Sequence, residues 1–125
     1  MTLTQKKKTG DLGEDVAEKY LKKRGYRILE RNYWQKWGEI DIVAKFRDDI
    51  IFVEVKSRKH GANFMPAQNV TFHKQQRLIR AAYSWLKENR IVDGAPWQID
   101  VVVVEIDYFL NKAKVEHLRN CVWGN

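Results

Sequence analysis

Two neighbouring stretches decide the fold: Gly38-Glu39-Ile40-Asp41-Ile42-Val43-Ala44 and Ile51-Phe52-Val53-Glu54-Val55-Lys56. β-Branched and apolar residues dominate both stretches, and each alternates with a period of two, which predicts two β-strands. The break between them contains the turn formers Phe46-Arg47-Asp48-Asp49 and no long polar linker. The two strands are therefore predicted to form one β-hairpin.

The apolar residues predict the register of this hairpin. One face of the sheet should carry three apolar pairs, which are Ile40 with Val55, Ile42 with Val53, and Ala44 with Ile51. The same register places Val43 opposite Phe52 and Asp41 opposite Glu54 on the other face, with Lys56 two residues beyond Glu54. A slip of one residue would move every side chain to the wrong face, so the apolar and charged patterns support each other.

The predicted pairing of Asp41 with Glu54 is unfavourable as a purely structural arrangement, because like charges across a ladder repel. Two carboxylates beside Lys56 favour a site for a divalent cation such as Mg²⁺, which prefers oxygen ligands. The Val55 carbonyl, between Glu54 and Lys56 in the chain, is a further candidate ligand. Lys56 can orient or deprotonate an attacking water, or stabilise charge that builds on phosphorus. The alternative is a surface ion cluster in which Lys56 neutralises both acids.

Asp41 followed by Glu54-Val55-Lys56 resembles the D…ExK signature of restriction-endonuclease-like nucleases. The wider sequence is similar to the YraN-like family of small bacterial proteins, which is itself similar in fold to archaeal Holliday-junction resolvases. The resemblance implies a restriction-endonuclease-like fold and a nuclease site that uses Mg²⁺ or Mn²⁺. The residues that carry it are Gly13-Glu14, Gly25-Tyr26, Gly38-Glu39-Ile40-Asp41, Phe52-Val53-Glu54-Val55-Lys56 and Asp100-Val101-Val102.

Size and composition limit the class of protein. A chain of 125 residues is predicted to form one domain. No apolar run reaches the length of a membrane span, and no apolar segment follows the charges of residues 1–8, so the cytoplasm is the predicted location. The single Cys121 allows neither an internal disulfide nor a cysteine zinc site, which fits a reducing compartment. The net charge of +7 favours an acidic partner such as nucleic acid.

The remaining pattern predicts the order αβββαββ, an α/β (strictly α+β) protein with a mixed central sheet of about five strands flanked by helices. Residues 1–8 are expected to form a loose basic arm, and residues 9–125 a single nuclease-like domain. Asp100 is expected to be structural, as a loop cap or an arginine partner. Besides the hairpin, the predicted elements are a helix from Thr9 or Asp11 to about Arg24, a strand over Tyr26–Tyr33, a loop over 57–69, a helix over 72–89 capped by Thr71, a strand over Trp97–Ile106 and a short edge strand over Val115–Val122.

The first helix brings a further acid towards the hairpin. Glu14 lies at the edge of the apolar arc, beside Leu21, and is the helix acid best placed to lean towards a site on the sheet. The alternative is a first-turn carboxylate that the helix dipole favours. The resemblance implies a site residue, because resolvase-type nucleases carry an early helical glutamate at this spacing from a Gly-aromatic pair, here Gly25-Tyr26. The arc consists of Leu12, Val16, Ala17, Tyr20 and Leu21.

Cations and aromatic residues give a candidate nucleic-acid surface. Trp34 and Trp37 flank Lys36 and can stack on bases or ribose; the alternative is that at least one tryptophan packs in the core. The resemblance implies that Lys74 reaches the site, whereas the residues alone also allow a solvated basic face. Glu39 and Gln75 are assigned supporting roles. The predicted nucleic-acid contacts are Arg27, Arg31, Lys36, Arg58, Lys59 and Lys74.

The leading interpretation is a Mg²⁺-dependent, structure-selective DNA endonuclease. Asp41, Glu54 and the Val55 carbonyl would hold the metal, Glu14 would hold or complete it, and Lys56 would position the attacking water. One alternative is a non-catalytic nucleic-acid-binding module that retains the fold; another is an interaction protein whose basic surface meets an acidic protein. Branched or junction DNA is the expected substrate class and RNA stays open. A homodimer is compatible with the resemblance, because resolvase-like relatives that cut two strands act as dimers.

Overall fold

The computed structural model describes residues 2–61 and 71–122, with the elements in the predicted order αβββαββ. One sheet contains all five strands in the order β1-β2-β3-β4-β5. β3 and β4 are parallel and the other neighbours are antiparallel, so the predicted mixed sheet is confirmed. The elements are α1 (Leu3–Lys23), β1 (Arg27–Gln35), β2 (Gly38–Phe46), β3 (Asp49–Lys59), α2 (Phe72–Glu88), β4 (Trp97–Asp107) and β5 (Lys112–Val122).

The two helices cover opposite faces of the sheet. Alternate residues of β4 enter different core clusters: Val101 and Val103 pack with residues of α2, whereas Val102 and Val104 pack with residues of α1. All four valines are buried, as predicted for a central strand covered on both faces. β5 lies at an edge, as predicted, although it begins at Lys112, earlier than the predicted Val115.

The predicted hairpin register is confirmed for the turn-proximal half of β2 and β3. Ile42 pairs with Val53, Val43 with Phe52, and Ala44 with Ile51. The ladder ends at the Ile42–Val53 pair. Asp41 and Glu54 are therefore not ladder partners, contrary to the prediction, because β2 continues beside β1 while β3 continues beside β4. The two strands form a fork whose open end begins at Asp41.

Ile40 lies on the face opposite to the predicted one. It packs in the α2-side cluster together with its partner Tyr33, whereas Ile42 packs in the α1-side cluster. Strand alternation breaks between these pairs in both strands, at Asp41 of β2 and at Asn32 of β1, and Asn32 has a φ of 53°. Asparagine is one of the few residues that tolerate this left-handed conformation. The break rotates the end of β2 relative to the hairpin.

The first helix begins earlier than predicted. Thr2 is its N-cap and forms a capping box with Gln5, so residues 3–8 belong to α1 and not to a loose arm. Glu14 consequently lies in the middle of α1, and the alternative of a first-turn carboxylate is wrong. Leu12, predicted in the apolar arc, is 41% exposed, whereas Ala17 and Leu21 are fully buried.

The second helix agrees with its prediction. Thr71 caps it through a hydrogen bond from the Lys74 backbone N–H, at 3.2 Å. One face of the helix forms an apolar stripe that packs on the core, with Leu78, Ile79, Ala82 and Trp85 buried and Leu86 partly buried. Before this helix, Ser57, Arg58 and Lys59 belong to β3 and not to the predicted loop, because they pair with β4. Residues 62–69 of that loop lie outside the described residues.

Two glycines let the helices approach the sheet next to the fork. A Cβ at Gly13 of α1 would lie 2.7 Å from the Ser57 Cβ, and a Cβ at Gly38 of β2 would lie 2.8 Å from the Arg77 carbonyl oxygen of α2. Neither position has room for a larger residue. These contacts place Glu14, next to Gly13, and Lys74, one turn before Arg77, on either side of the fork.

Asp100 has the predicted structural role but not the predicted partners. It is fully buried within β4, where its Oδ2 lies 2.7 Å from His117 Nε2. Its Oδ1 accepts hydrogen bonds from Gln98 Nε2 and the Asn120 backbone N–H, both at 2.8 Å. Asp100 therefore ties β5 to β4. Within residues 2–61 and 71–122, no helix is long and apolar enough to cross a membrane.

Candidate active site

A cleft of about 280 Å³ opens at the fork between β2 and β3. Acids from the two strands lie on one side, and basic side chains from the first turns of α2 lie on the other. The cleft therefore brings both signs of charge to the point where the β2–β3 ladder ends. Its lining residues are Gly38, Glu39, Asp41, Glu54, His73, Lys74, Arg77 and Leu78.

Asp41 bridges the fork. Its Oδ2 accepts a hydrogen bond from the Val55 backbone N–H at 2.7 Å, in place of a ladder partner on β2. Burial and the neighbouring Glu54 carboxylate raise the pKa of Asp41 to about 8, against the opposing effect of the Val55 hydrogen bond. Glu14 and Glu39 contribute in the same upward direction. Three carboxylates thus act on Asp41, and a proton or a cation there would relieve their repulsion.

Glu54 is paired with a helix cation. Its Oε1 lies 2.8 Å from Lys74 Nζ, and its side chain is only 7% exposed. Burial lowers the pKa of Lys74, but the hydrogen bond and charge of Glu54 outweigh burial, so the net shift is upward. Lys74 therefore contacts an acid of the cleft while its side chain stays 44% exposed, and its role in a functional site stays a prediction.

The charges of Asp41, Glu54 and Lys74 also act on Lys56. Burial, followed by the positive charge of Lys74, lowers its pKa, while Glu54 and Asp41 oppose the shift. A lysine with a lowered pKa loses its proton more readily than an exposed lysine, which suits proton transfer. Asp41 and Glu54 line the cleft, whereas Lys56 is not among its lining residues, and its place at the site stays a prediction.

Glu14 of α1 forms an ion pair with Arg31 of β1. Its Oε1 lies 3.2 Å from Arg31 Nη2, and the same guanidinium binds Asp15 at 2.8 Å and Glu18 at 3.6 Å. Arg31, a predicted phosphate contact, is therefore engaged by acids of α1. No three His, Cys, Asp or Glu side chains among residues 2–61 and 71–122 are grouped closely enough to hold a metal. Direct ligation by Glu14 stays a prediction.

The supporting residues differ in position. Glu39 is largely exposed and lines the cleft; partial desolvation of its carboxylate, then the Glu14 and Glu54 charges, raise its pKa. Gln75 is half-buried on α2 and lies outside the lining. His73 and Arg77 line the cleft but were not among the predicted site residues. Their spacing from each other and from Lys74 places them on one helix face, which is the signal that could have identified them.

Three predicted phosphate contacts lie away from the cleft. Arg27 pairs with Lys45 near the closed end of the hairpin, about 13 Å along β2 from Asp41 at the usual rise per residue. Arg58 forms an ion pair with Glu105 at 3.1 Å. Lys59 is exposed at the end of β3 and lines a different cavity, beside Tyr108. Their predicted contacts with nucleic acid stay predictions.

The aromatic residues at the β1–β2 turn are outside both core clusters of the described chain. Trp34 is 69% exposed. Trp37 is half-buried, with the Arg80 guanidinium 4.6 Å and Lys36 Nζ 5.9 Å from its ring centroid. The alternative that one of the two tryptophans packs in the core is therefore wrong. Lys36 lies at this turn, close to Gly38 at the cleft.

The mixed five-stranded sheet, with one helix on each face, defines an α+β protein with a restriction-endonuclease-like architecture. The chain belongs to the uncharacterised protein family UPF0102, whose family model matches residues 13–104. The predicted membership of the YraN-like family is thereby confirmed.

Curated relatives match over nearly their whole length. A UPF0102 protein of Alkaliphilus oremlandii is 42% identical over 114 residues, which cover 91% of this chain and 97% of the relative. One from Clostridioides difficile is 43% identical, with 91% and 96% covered. One from Caldanaerobacter subterraneus is 38% identical over 122 residues, with 96% and 98% covered. The similarity therefore extends beyond the hairpin to the whole fold.

Proposed function

We propose that this chain is a divalent-metal-dependent endonuclease that hydrolyses phosphodiester bonds in DNA and selects branched structures. The observation that carries the proposal is the cleft at the fork, where Asp41 and the Glu54–Lys74 pair meet beside Lys56. Phosphodiester hydrolysis needs an activated water and compensation of charge on phosphorus, and this group of residues offers both. DNA as substrate also agrees with the predicted cytoplasmic location and the net charge of +7.

The donor set at the fork fits Mg²⁺ or Mn²⁺. Mg²⁺ typically takes one or two carboxylates and completes its shell with waters and phosphate oxygens, so a set of three protein acids is not required. Burial, followed by the Glu54 charge, raises the pKa of Asp41 to about 8, and a bound cation would favour the ionised carboxylate. Asp41 and Glu54 would hold the ion, with the Val55 carbonyl as the proposed third oxygen.

The roles of the chain's own residues follow from their charge and position. When bound, the metal would act as a Lewis acid on the phosphate and lower the pKa of a coordinated water. Lys56, with its lowered pKa, takes or relays a proton at the attacking water. Lys74 and Arg77 supply positive charge along the α2 side of the cleft. Glu14, which forms an ion pair with Arg31 at 3.2 Å, would hold or complete the metal site.

A non-catalytic nucleic-acid-binding module is the second candidate. The Lys74–Glu54 ion pair favours it, because Glu54 already has a cation at 2.8 Å. Such a module would bind DNA with a steep dependence on salt concentration and no dependence on divalent ions. The two functions therefore differ in their response to Mg²⁺.

A cleavage assay tests the proposal. End-labelled four-way junction, flap and linear duplex DNA of equal length are incubated with the purified chain, with Mg²⁺, Mn²⁺ or a chelator. We expect metal-dependent cleavage of a branched substrate, with a loss of at least about 100-fold in Asp41→Asn, Glu54→Gln and Lys56→Met. Asp93→Asn, an exposed acid outside the cleft, is the matched control. Cleavage that is equal in Asp41→Asn and the wild type contradicts the proposal, and metal-independent binding alone supports the module.

A further inference from the structure

A groove lies between the N-terminal half of α1 and the β4–β5 turn, and we call it the α1 groove. It consists of a cavity of about 470 Å³ and a smaller one of about 180 Å³, which adjoin because Leu12 and Tyr108 line both. Apolar side chains continue along the smaller cavity, where Val16, Ile106 and Ala113 join the lining. The α1 groove thus has the size and the apolar wall of a binding site.

Large apolar side chains are exposed at this groove. Leu12 and Tyr108 are exposed although they form its wall, and Phe109 and Leu110, which follow in the same turn, are exposed as well. The Tyr108 hydroxyl lies 2.7 Å from Oγ1 of the buried Thr9, and this hydrogen bond holds the turn against α1. Exposed apolar surface that the fold keeps in one place is typical of a site for a protein partner.

The charges at the groove are mainly positive. Lys8 and Lys59 line the larger cavity and Lys112 lines the smaller one, and all three lysines are exposed. No acid among the described residues lines the larger cavity. Asp107 lines the smaller one, but its Oδ1 accepts two backbone N–H groups of the β4–β5 turn, both at 3.0 Å. The groove is therefore complementary to a ligand that combines apolar side chains with negative charge.

We infer that the α1 groove binds an acidic segment of a partner protein, whose large apolar side chains enter the groove while its carboxylates meet the three lysines. A nucleic-acid backbone is a poorer match, because its phosphates would lie against a largely apolar wall. Two copies of the chain that met through this groove would bring the same lysines together. Lys59 is five residues beyond Glu54 on β3, about 16 Å away, so binding at the groove does not require cleavage at the cleft.

Fluorescence anisotropy with labelled acidic peptides tests the inference. The probes are peptides of about twelve residues, rich in aspartate and glutamate, with two phenylalanines two, three or four positions apart, which covers extended and helical conformations. Each probe has two controls: one replaces the phenylalanines with serine, and the other replaces the acids with asparagine and glutamine. We expect one spacing to bind at least about tenfold more tightly than both of its controls, and the binding to weaken as salt is added.

Charge reversal in the groove locates the binding. The double variant Lys8→Glu with Lys59→Glu should weaken binding of the best probe at least about tenfold. Because both lysines are exposed, the variant should fold as the wild type does. Lys45→Glu with Lys87→Glu changes the net charge equally at exposed positions outside the groove. This matched control should bind the probe nearly as well as the wild type.

Substitutions of the groove's aromatic wall test the apolar contribution. Tyr108→Ala should weaken binding at least about tenfold, whereas Tyr108→Phe, which keeps the ring, should bind nearly as the wild type does. Tyr83→Ala is the control, because Tyr83 is an exposed tyrosine on α2 and lies outside the groove.

Three results would overturn the inference. The first is equal binding of probes with and without phenylalanine, or unchanged binding in the lysine double variant. The second is displacement of the best peptide by single-stranded DNA that binds the groove more tightly, which would assign the groove to nucleic acid. The third is a dimer in sedimentation that Leu12→Asp dissociates, which would assign it to a second copy of the chain. None of these measurements depends on cleavage, so they are independent of the proposed nuclease.

Discussion

The Asp41 carboxylate accepts the Val55 backbone N–H at 2.7 Å, immediately beyond the last ladder pair of β2 and β3. A side chain thus replaces a backbone carbonyl at the point where the two strands separate. This relationship connects the fold to the site, because it anchors a desolvated carboxylate within reach of the Glu54 charge. It also means that Asp41 has a structural and a chemical role, which isosteric substitutions can separate.

Asp41→Asn should stabilise the metal-free protein at alkaline pH. The pKa of Asp41 is about 8 in the folded chain and near its ordinary 3.8 when unfolded. The folded state therefore binds the proton more tightly, and its stability falls as pH rises from about 4 to 8. The asparagine can still accept the Val55 N–H and carries no charge. We expect a gain of about 2 kcal/mol at pH 8.5 and almost none at pH 4, measured by urea unfolding in a chelator.

If Asp41→Asn raised the unfolding free energy equally at pH 4 and pH 8.5, ionisation of Asp41 could not be the cause. With Mn²⁺ at pH 8.5, Asp41→Asn should instead be less stable than the wild type, because a cation stabilises the ionised wild-type carboxylate and not the amide.

Lys74→Met should destabilise the protein by leaving Glu54 buried without its partner. Because Lys74 is 44% exposed, the cost should be about 1–2 kcal/mol, below the range of fully buried pairs. The double variant with Glu54→Gln should recover most of this loss in a double-mutant cycle. Lys22→Met is the matched control, because Lys22 pairs with Glu18 at 3.0 Å on the exposed surface of α1; it should cost under about 0.5 kcal/mol. Equal effects of the two lysine substitutions would refute a special role for the cleft pair.

Gly13→Ala and Gly38→Ala should each destabilise the fold by about 1–3 kcal/mol. The added methyl groups would lie 2.7 Å from the Ser57 Cβ and 2.8 Å from the Arg77 carbonyl oxygen, respectively, and overpacking forces such contacts apart. Gly10→Ala is the control in the same helix as Gly13, since a Cβ there meets nothing within 4 Å. It should stabilise α1 by about 0.5–1 kcal/mol. Thermal unfolding distinguishes these outcomes, and a stabilised Gly13→Ala would contradict the close approach of α1 to β3.

Asp100→Asn should weaken the fold without affecting the cleft. The asparagine oxygen is needed by Gln98 and Asn120, so its NH2 group takes the place of Oδ2 and cannot accept a hydrogen bond from His117 Nε2, 2.7 Å away. We expect a loss of about 1–3 kcal/mol in unfolding free energy, with unchanged affinity of the folded protein for Mn²⁺. Weaker Mn²⁺ binding with unchanged stability would instead assign Asp100 to the site.

Strand alternation and helix-capping patterns correctly predicted the turn-proximal half of the β2–β3 hairpin and the second helix. The alternation of Ile42, Val43 and Ala44 was sufficient for the hairpin register, because a slip would bury the wrong face. Thr71 and the apolar stripe after it were sufficient for α2. The start of α1 was missed although Thr2 and Gln5 form a readable capping box, since the lysines at 6–8 were interpreted as a tail.

The site was less predictable because tertiary contacts build it. Strand alternation cannot show that β2 and β3 diverge after Ile42, which depends on the pairing of β3 with β4 and on the left-handed Asn32. The pairing of Glu54 with Lys74 joins residues of two different elements. The engagement of Arg31 by acids of α1 is likewise a contact between elements. The residue types at the site were predictable, whereas their partners were not.

The central claim is that Asp41 and Glu54 form one divalent-cation site, and a Mn²⁺ titration of the DNA-free protein tests it most directly. Electron paramagnetic resonance at pH 8.5, above the pKa of Asp41, should show one bound Mn²⁺ per chain. Asp41→Asn and Glu54→Gln should each weaken binding at least about tenfold, with Asp93→Asn unchanged. Wild-type protein that binds no Mn²⁺ at millimolar concentration, or an Asp41→Asn variant that binds it equally well, would contradict the claim.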